Sequence, residues 1–367
     1  MRRLAVAGLV AALVAAAGCG PPGQSRRAEA VPVETLPMAI DTITVPWNAL
    51  PEAAALGQHR WVVVGADHDA AVVVDFSTGA TVPLGGRGGE ALAKPFGVYA
   101  IGDTAWVADW AKSRLTAWLP DGRLVDSVTA PGALRGVLPR ARDRAGQYYF
   151  EIPPIAGPDG AGLKDSAAVV RGNPALTQFD TVARLAPLDV AEVKEARGHR
   201  FERLVFSGND WWGVLPDGRI WIARVRRNEV SILEGRKERR GDRLPDPVLE
   251  VTRADREQYV NSFPEELRAM ADQLQFSPFK PAFERGFDGA GGTIWLRKSK
   301  AALDSVRRYQ VVDSAGVLQR VFSLGGRGIV VAADPAAVLV AEIVPAGVYL
   351  MEIPLPPPPA PTPPAPR

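Results

Sequence analysis

The chain has 367 residues, 43 of them Lys or Arg and 41 Asp or Glu, for a formal charge of +2 at pH 7. That balance offers no electrostatic case for a nucleic-acid partner or an acidic substrate. The length exceeds one typical compact domain but suits a single large all-β domain, and one cysteine rules out an internal disulfide or a Cys-rich metal site.

The chain opens MRRLAVAGLVAALVAAAGCG: Arg2 and Arg3, a short apolar run at 4–15, then Ala16-Ala17-Gly18 ahead of Cys19. This is the layout of an export signal, too short for a membrane-spanning helix, and no later stretch is long and apolar enough to span a bilayer. The segment resembles the lipobox of bacterial lipoproteins. The resemblance implies a signal peptide at 1–18 and acylation of Cys19, with several acyl chains anchoring the protein where one would hold only weakly. Gly20 stands where aspartate accompanies inner-membrane retention, which implies the periplasmic face of the outer membrane in a Gram-negative source. Residues 19–38 mix Pro, Gly and charge without periodicity and read as a flexible tether.

Beyond the tether the chain reads as short strands divided by turn chemistry. DTITV at 41–45 is a strand without a sequence neighbour. The runs at 61–64 and 71–76 are β-branched and joined by an Asp/His-rich turn. Four runs near 96–101, 104–109, 113–119 and 123–129 follow, with Gly102-Asp103 and Asp121-Gly122 at turns, which is the size of one propeller blade. Trp106, Trp221 and Trp295 each sit in an apolar-Trp-apolar strand after a Gly or Asp turn, and LGGRG recurs at 84–88 and 324–328. These repeats predict a single all-β propeller at 39–353, with blades at 59–83, 96–129, 135–184, 203–251, 282–322 and 328–351. Strand 41–45 closes the ring so that no edge is left exposed.

The stretches LGGRGGEALAKPFGVYAIGDTAWVADWAKSRLTAWLPDGRL, VLPDGRIWIA and KPAFERGFDGAGGTIWLR resemble the six-bladed NHL-like propeller lipoproteins. The resemblance implies architecture far more than activity. Two interruptions are expected: a long loop at 152–166 and a helical insertion near 253–275. Within the insertion a short helix at about 253–260 precedes a second one. Ser262 and Glu265 have capping-box spacing, and Leu267, Met270, Ala271 and Leu274 share one face, which either packs on a rim or gates the channel. The Pro-rich end, 354–367, reads as a disordered, extended tail.

Chemistry-bearing patterns are sparse. His59, His68 and His199 lack metal-ligand spacing, and Asp67-His68-Asp69 reads as a polar turn. No nucleophile elbow, P-loop or dinucleotide fingerprint occurs, so no catalytic, metal or cofactor residue is assigned. The basic run Arg224, Arg226, Arg227 and 236–240 is broken by Glu229, Glu234 and Glu238 and reads as a solvated face. For ligand binding the candidates are Trp110 and Arg114, on a mixed-charge hairpin, and Asp210 and Trp211, from GNDWWG, where alternation sends the two tryptophans to opposite faces. Propellers converge loops from distant blades on one channel. The expectation is therefore a lipid-anchored envelope platform that binds an unidentified small molecule or protein without catalysis. The rival is a lactonase-like or sugar-dehydrogenase-like propeller enzyme, drawing on residues such as Asp67, Glu151, Asp210 and Glu284 around an axial metal or quinone.

Overall fold

A computed structural model describes residues 28, 31–39, 41–65, 67, 69–86, 88–195 and 198–357. The signal segment, Cys19, His68 and most of the Pro-rich tail lie outside the described residues. Two strands on the N-terminal side, β1 (Val33–Thr35) and β2 (Asp41–Val45), join blades formed much later in the chain. The first blade is β3 (Glu52–Gly57), β4 (Arg60–Gly65), β5 (Ala70–Asp75) and β6 (Ala80–Leu84). The second is β7 (Pro95–Ile101), β8 (Thr104–Asp109), β9 (Arg114–Trp118) and β10 (Leu124–Thr129). The third comprises β11 (Ala141–Arg142), β12 (Tyr148–Ile152), β13 (Ala168–Gly172) and β14 (Phe179–Arg184). A separate hairpin, β15 (Val190–Glu195) with β16 (Gly198–Arg203), intervenes.

The fourth blade is β17 (Trp211–Val214), β18 (Ile220–Arg224), β19 (Glu229–Glu234) and β20 (Lys237–Arg243), followed by α1 (Arg253–Asn261) and α2 (Glu265–Ala271). The fifth is β21 (Phe283–Asp288), β22 (Ile294–Lys298), β23 (Arg307–Val312) and β24 (Leu318–Leu324), and the sixth β25 (Ile329–Ala333), β26 (Ala337–Val344) and β27 (Gly347–Pro354). β2 pairs antiparallel with β27, from Asp41 opposite Glu352 to Val45 opposite Val348, and supplies the outermost strand of the sixth blade. The protein is thus a six-bladed propeller, with the ring closed by β2, a strand that precedes the first blade in the chain.

The middle strands explain why the sequence folds this way. β4, RWVVVG, and β8, TAWVAD, are buried almost throughout, because both faces of a blade are covered by neighbours. Continuous apolar runs there and polar outer strands such as β20, KERRGDR, follow from that geometry. Six apolar clusters result, one per interface between successive blades. Trp106, Trp221 and Trp295 occupy equivalent places, each buried against the next blade.

Three elements depart from the sequence reading. Residues 31–38 do not behave as tether: β1 lies parallel to β24 as a fifth strand, Leu36 is buried, and the Glu34 carboxylate takes two hydrogen bonds from the Arg320 guanidinium. The outer edge of β24 offers unpaired backbone groups, and the chain satisfies them on its way to β2. The stretch at 190–203 forms the β15–β16 hairpin, so the fourth blade begins at Trp211 and not at 203. In the insertion, α1 is capped by a reciprocal Thr252–Asp255 box, whereas Ser262 donates instead to the Tyr259 carbonyl and α2 starts after Pro264. Contact is made through the aromatic group of Phe206, Tyr259, Phe263 and Phe276, which leaves Leu267 and Met270 exposed and only Ala271 buried.

Deleting residues 39–48 should lower the thermal midpoint by roughly 10 °C or more, because it reopens the sixth blade, while deleting 358–367 should leave it unchanged. Equal midpoints for the two truncations would contradict closure by β2.

Candidate functional site

In each four-stranded meander, the turns from first to second and from third to fourth strand lie at one end of the ring. Those from second to third, and the links to the next blade, lie at the other. All the long insertions belong to the second set: the 153–167 loop, the β15–β16 hairpin and the α1–α2 segment. They also bond to one another there, Phe201 N–H to the Asp159 carbonyl at 2.7 Å and Ser277 N–H to the Val205 carbonyl at 2.8 Å. Of the fifteen large apolar side chains left exposed among the described residues, ten sit at this loop end, Phe96, Trp110, Ile155, Met270 and Phe279 among them.

The six innermost strands enclose a cavity of about 830 Å³ along the axis. Its walls are kept wide by small residues, Ala53, Ala54 and Ala55 on β3 and Ala333 on β25, with Phe96, Phe287 and Trp212 adding apolar surface. At the loop end two arginines are matched by carboxylates. Arg285 of blade five reaches past blade six to Glu52 of blade one at 2.9 Å and stacks 5.1 Å from the centre of the Trp211 ring. Arg140 pairs with Glu151, whose carboxylate also accepts the Trp212 Nε1–H at 2.8 Å.

Deeper in the channel, the Asp288 carboxylate accepts the indole N–H of Trp221 from the neighbouring blade. The carboxylate is exposed to the lumen, where the surrounding strands thin its hydration, and this desolvation pushes its pKa up to about 6, against the opposing indole bond. Gly213 makes this contact possible: a Cβ there would stand 2.6 Å from both the Trp221 nitrogen and an Asp288 oxygen.

The residues singled out from sequence are spread over this end. Trp110 is 69% exposed at the turn between β8 and β9. Trp211 stands beside the mouth under Arg285, packing toward blade five, while Trp212 is buried toward blade three and lines the cavity. Arg114 donates to the carbonyls of Gly89, Glu90 and Ala91 and so holds the link between the first two blades. Asp210 is buried and accepts from Ala186 N–H, Val225 N–H and Arg224, tying blade four to the preceding link. Arg140, Arg142 and Arg144 were not singled out; the alternation RARDR at 140–144 is the signal that could have found them.

An axial metal would need several oxygen or nitrogen donors converging on one point. Among the described residues no group of three or more His, Cys, Asp or Glu side chains stands together in that way. Of the residues the enzyme reading would draw on, Glu151 is held by Arg140 and Trp212, Asp210 by Arg224, and Glu284 by Arg297 at 3.2 Å. His59 is bound to Glu352 at 2.6 Å, which raises its pKa, and His199 faces Glu192 in the outlying hairpin. The donor set does not fit an axial ion.

No family model matches the chain, and no curated protein matches it. Similar solved structures include a member of the DUF4221 family from Bacteroides vulgatus, with TM-score 0.48, 8% identity, and coverage of 86% of this chain and 97% of that one. A gluconolactonase from Xanthomonas campestris gives 0.45 at 12% identity, covering 92% and 99%. A virginiamycin B lyase from Staphylococcus aureus gives 0.45 at 8%, covering 86% and 98%.

Asp288 generates a pH test. Its folded pKa lies above the ordinary 3.8, so the stabilisation it brings is full below about pH 4 and is lost as pH rises through about 6. Asp288→Asn keeps an acceptor for Trp221 and should abolish that decline, making the variant the more stable protein above pH 6. Parallel thermal midpoint curves for the two proteins from pH 4 to 7 would contradict the assignment.

Proposed function

We propose that this chain is a lipid-anchored binding propeller of the cell envelope, of the NHL-like lipoprotein type, that takes its ligand at the loop end of the channel without transforming it. The observation that carries this reading is the convergence of every long insertion and most of the exposed apolar side chains on one end of a channel that holds a cavity of about 830 Å³. A cavity of this size, with apolar walls interleaved with arginines and carboxylates, suits a small organic ligand that carries a polar group. The carboxylates near the mouth are engaged by Arg285, Arg140 and Trp212, which suits recognition better than acid–base work.

Anchoring rests on the lipobox resemblance around Cys19; among the described residues no helix is long and apolar enough to cross a membrane. For a Gram-negative source the proposed location is the periplasmic face of the outer membrane.

Two experiments test this. Cys19→Ser should convert a membrane-bound protein into a soluble or unprocessed one, and firm attachment of the processed variant would contradict the anchor. A panel of lactones, esters and sugars presented to the purified protein should show no turnover. Turnover abolished by a chelator would replace the binding reading with the enzyme one.

A further inference from the structure

The channel's arginines are ion-paired at the loop end, whereas further in Arg142 and Arg144 have no ion-pair partner among the described residues. Arg60 donates to neutral acceptors, the Gly57 carbonyl and the Gln58 side chain, and its charge faces the Asp75 carboxylate on the next strand. Arg144 is exposed and has no ion-pair partner among the described residues. Arg142 lies between two rings, its guanidinium carbon 4.8 Å from the centre of Trp106 and 5.2 Å from that of Tyr148, with no hydrogen-bond acceptor among the described residues. The carboxylates at this end have other partners: Asp334 accepts the N–H groups of Ala336 and Ala337, Asp103 the Thr104 hydroxyl, Asp75 the Ser77 N–H and hydroxyl, and Asp288 the Trp221 indole.

Two polar atoms in this region are buried and unpartnered, the Arg142 Nε and the Tyr99 hydroxyl. Tyr99 stacks on Trp106 at 6.1 Å, and its phenol feels both neighbours. Burial raises its pKa well above the usual value, the Tyr148 phenol adds to the rise, and the Arg142 charge opposes it. Buried polar groups in folded proteins are almost always paired. A guanidinium only donates, and although a phenol oxygen can accept as well as donate, no hydrogen bond joins Tyr99 to Arg142, so both are left with open donors. What completes both is a group that only accepts, and a planar guanidinium held between aromatic rings suits a carboxylate or phosphate oxygen pair.

We infer that the channel takes a small amphipathic anion, its oxyanion head held by Arg142 and Tyr99 and its apolar body lying along the alanine- and phenylalanine-lined wall toward the loop end. The inference rests on the reading of the channel as a binding site and adds the class of ligand. Arg142 fixes the head and Tyr99 donates the second bond. The aromatic rings orient the guanidinium while leaving its hydrogen-bond donors for the ligand.

The test uses tryptophan fluorescence of the full chain titrated with 2-naphthoate, 1-naphthyl phosphate and the neutral 2-naphthalenemethanol. At least one anion should bind about ten-fold or more tighter than the alcohol, and which anion binds tighter identifies the head as carboxylate or phosphate. Arg142→Gln and Tyr99→Phe should each weaken the anion about ten-fold and leave the alcohol unchanged. Tyr99→Phe preserves every ring contact, so it reads out the hydroxyl even if the arginine variant fails to fold. Equal affinities for anion and alcohol, no binding of either anion, or wild-type affinity in Tyr99→Phe would overturn the inference. A neutral ligand whose affinity depends on Trp212 but not on Arg142 or Tyr99 would overturn it as well, while leaving the binding-protein reading intact.

Discussion

The pairing of Asp41–Val45 with β27 joins the two ends of the chain, and because each apolar cluster belongs half to one blade and half to the next, all six interfaces depend on that junction. Without it the sixth blade would keep an open edge of unpaired backbone groups. Val45 and Trp47 would also lose their place against Trp61, Val63 and Leu339. The ring in turn sets the width of the channel, since the six innermost strands are held apart only by the packing of the blades behind them. Arg285 can span from blade five to Glu52 of blade one because the ring fixes that distance. β1 reinforces the same closure from outside, extending blade five immediately before the chain crosses to blade six.

Polar side chains then finish what the apolar clusters begin. Trp221 to Asp288, Trp61 to Glu352 and Tyr149 to the Gly218 carbonyl each run from one blade to its neighbour. A buried Lys298, whose pKa burial lowers to about 8, donates to Asn228 across the fourth interface. These bonds specify which residues meet, whereas area buried between blades supplies most of the driving force. The interfaces between blades two and three and around Asp288 are where polar atoms approach the channel, which is why the two chemically unusual groups of the lumen, Asp288 and Arg142, occur at blade boundaries.

Much of the architecture was legible because middle strands are sandwiched on both faces and so carry unbroken runs such as RWVVVG, TAWVAD and IWIAR. DTITV was legible as a closing strand because it had no local partner. The innermost strands were harder: EAAALG carries no β-branched residue, since strands at the axis need small side chains, and the first blade therefore begins earlier than the β-branched runs suggest. β1 and the β15–β16 hairpin are short and polar and take their order from tertiary pairing that no local pattern reports. Helix α1 carried its own cap in Thr252 and Asp255, but the Ser262–Glu265 spacing misled because Pro264 between them sets the start of α2. The candidate site was the least legible part. Tyr99 and Arg142 belong to different blades, and neither sits in a motif; only the fold places them together. Arg114 and Asp210 stood out in sequence as charged groups near aromatic ones, and the fold uses both to fasten the links between blades.

The central claim is that the channel of this closed ring is a binding site left short of an acceptor by its own chain. The most direct measurement is a high-resolution crystal structure of the protein purified from its native source. The account predicts an oxyanion in contact with Arg142 Nε and the Tyr99 hydroxyl, with the rest of its density extending toward Phe96 and Trp212. An ordered water alone bridging those two atoms in an otherwise empty channel would contradict it.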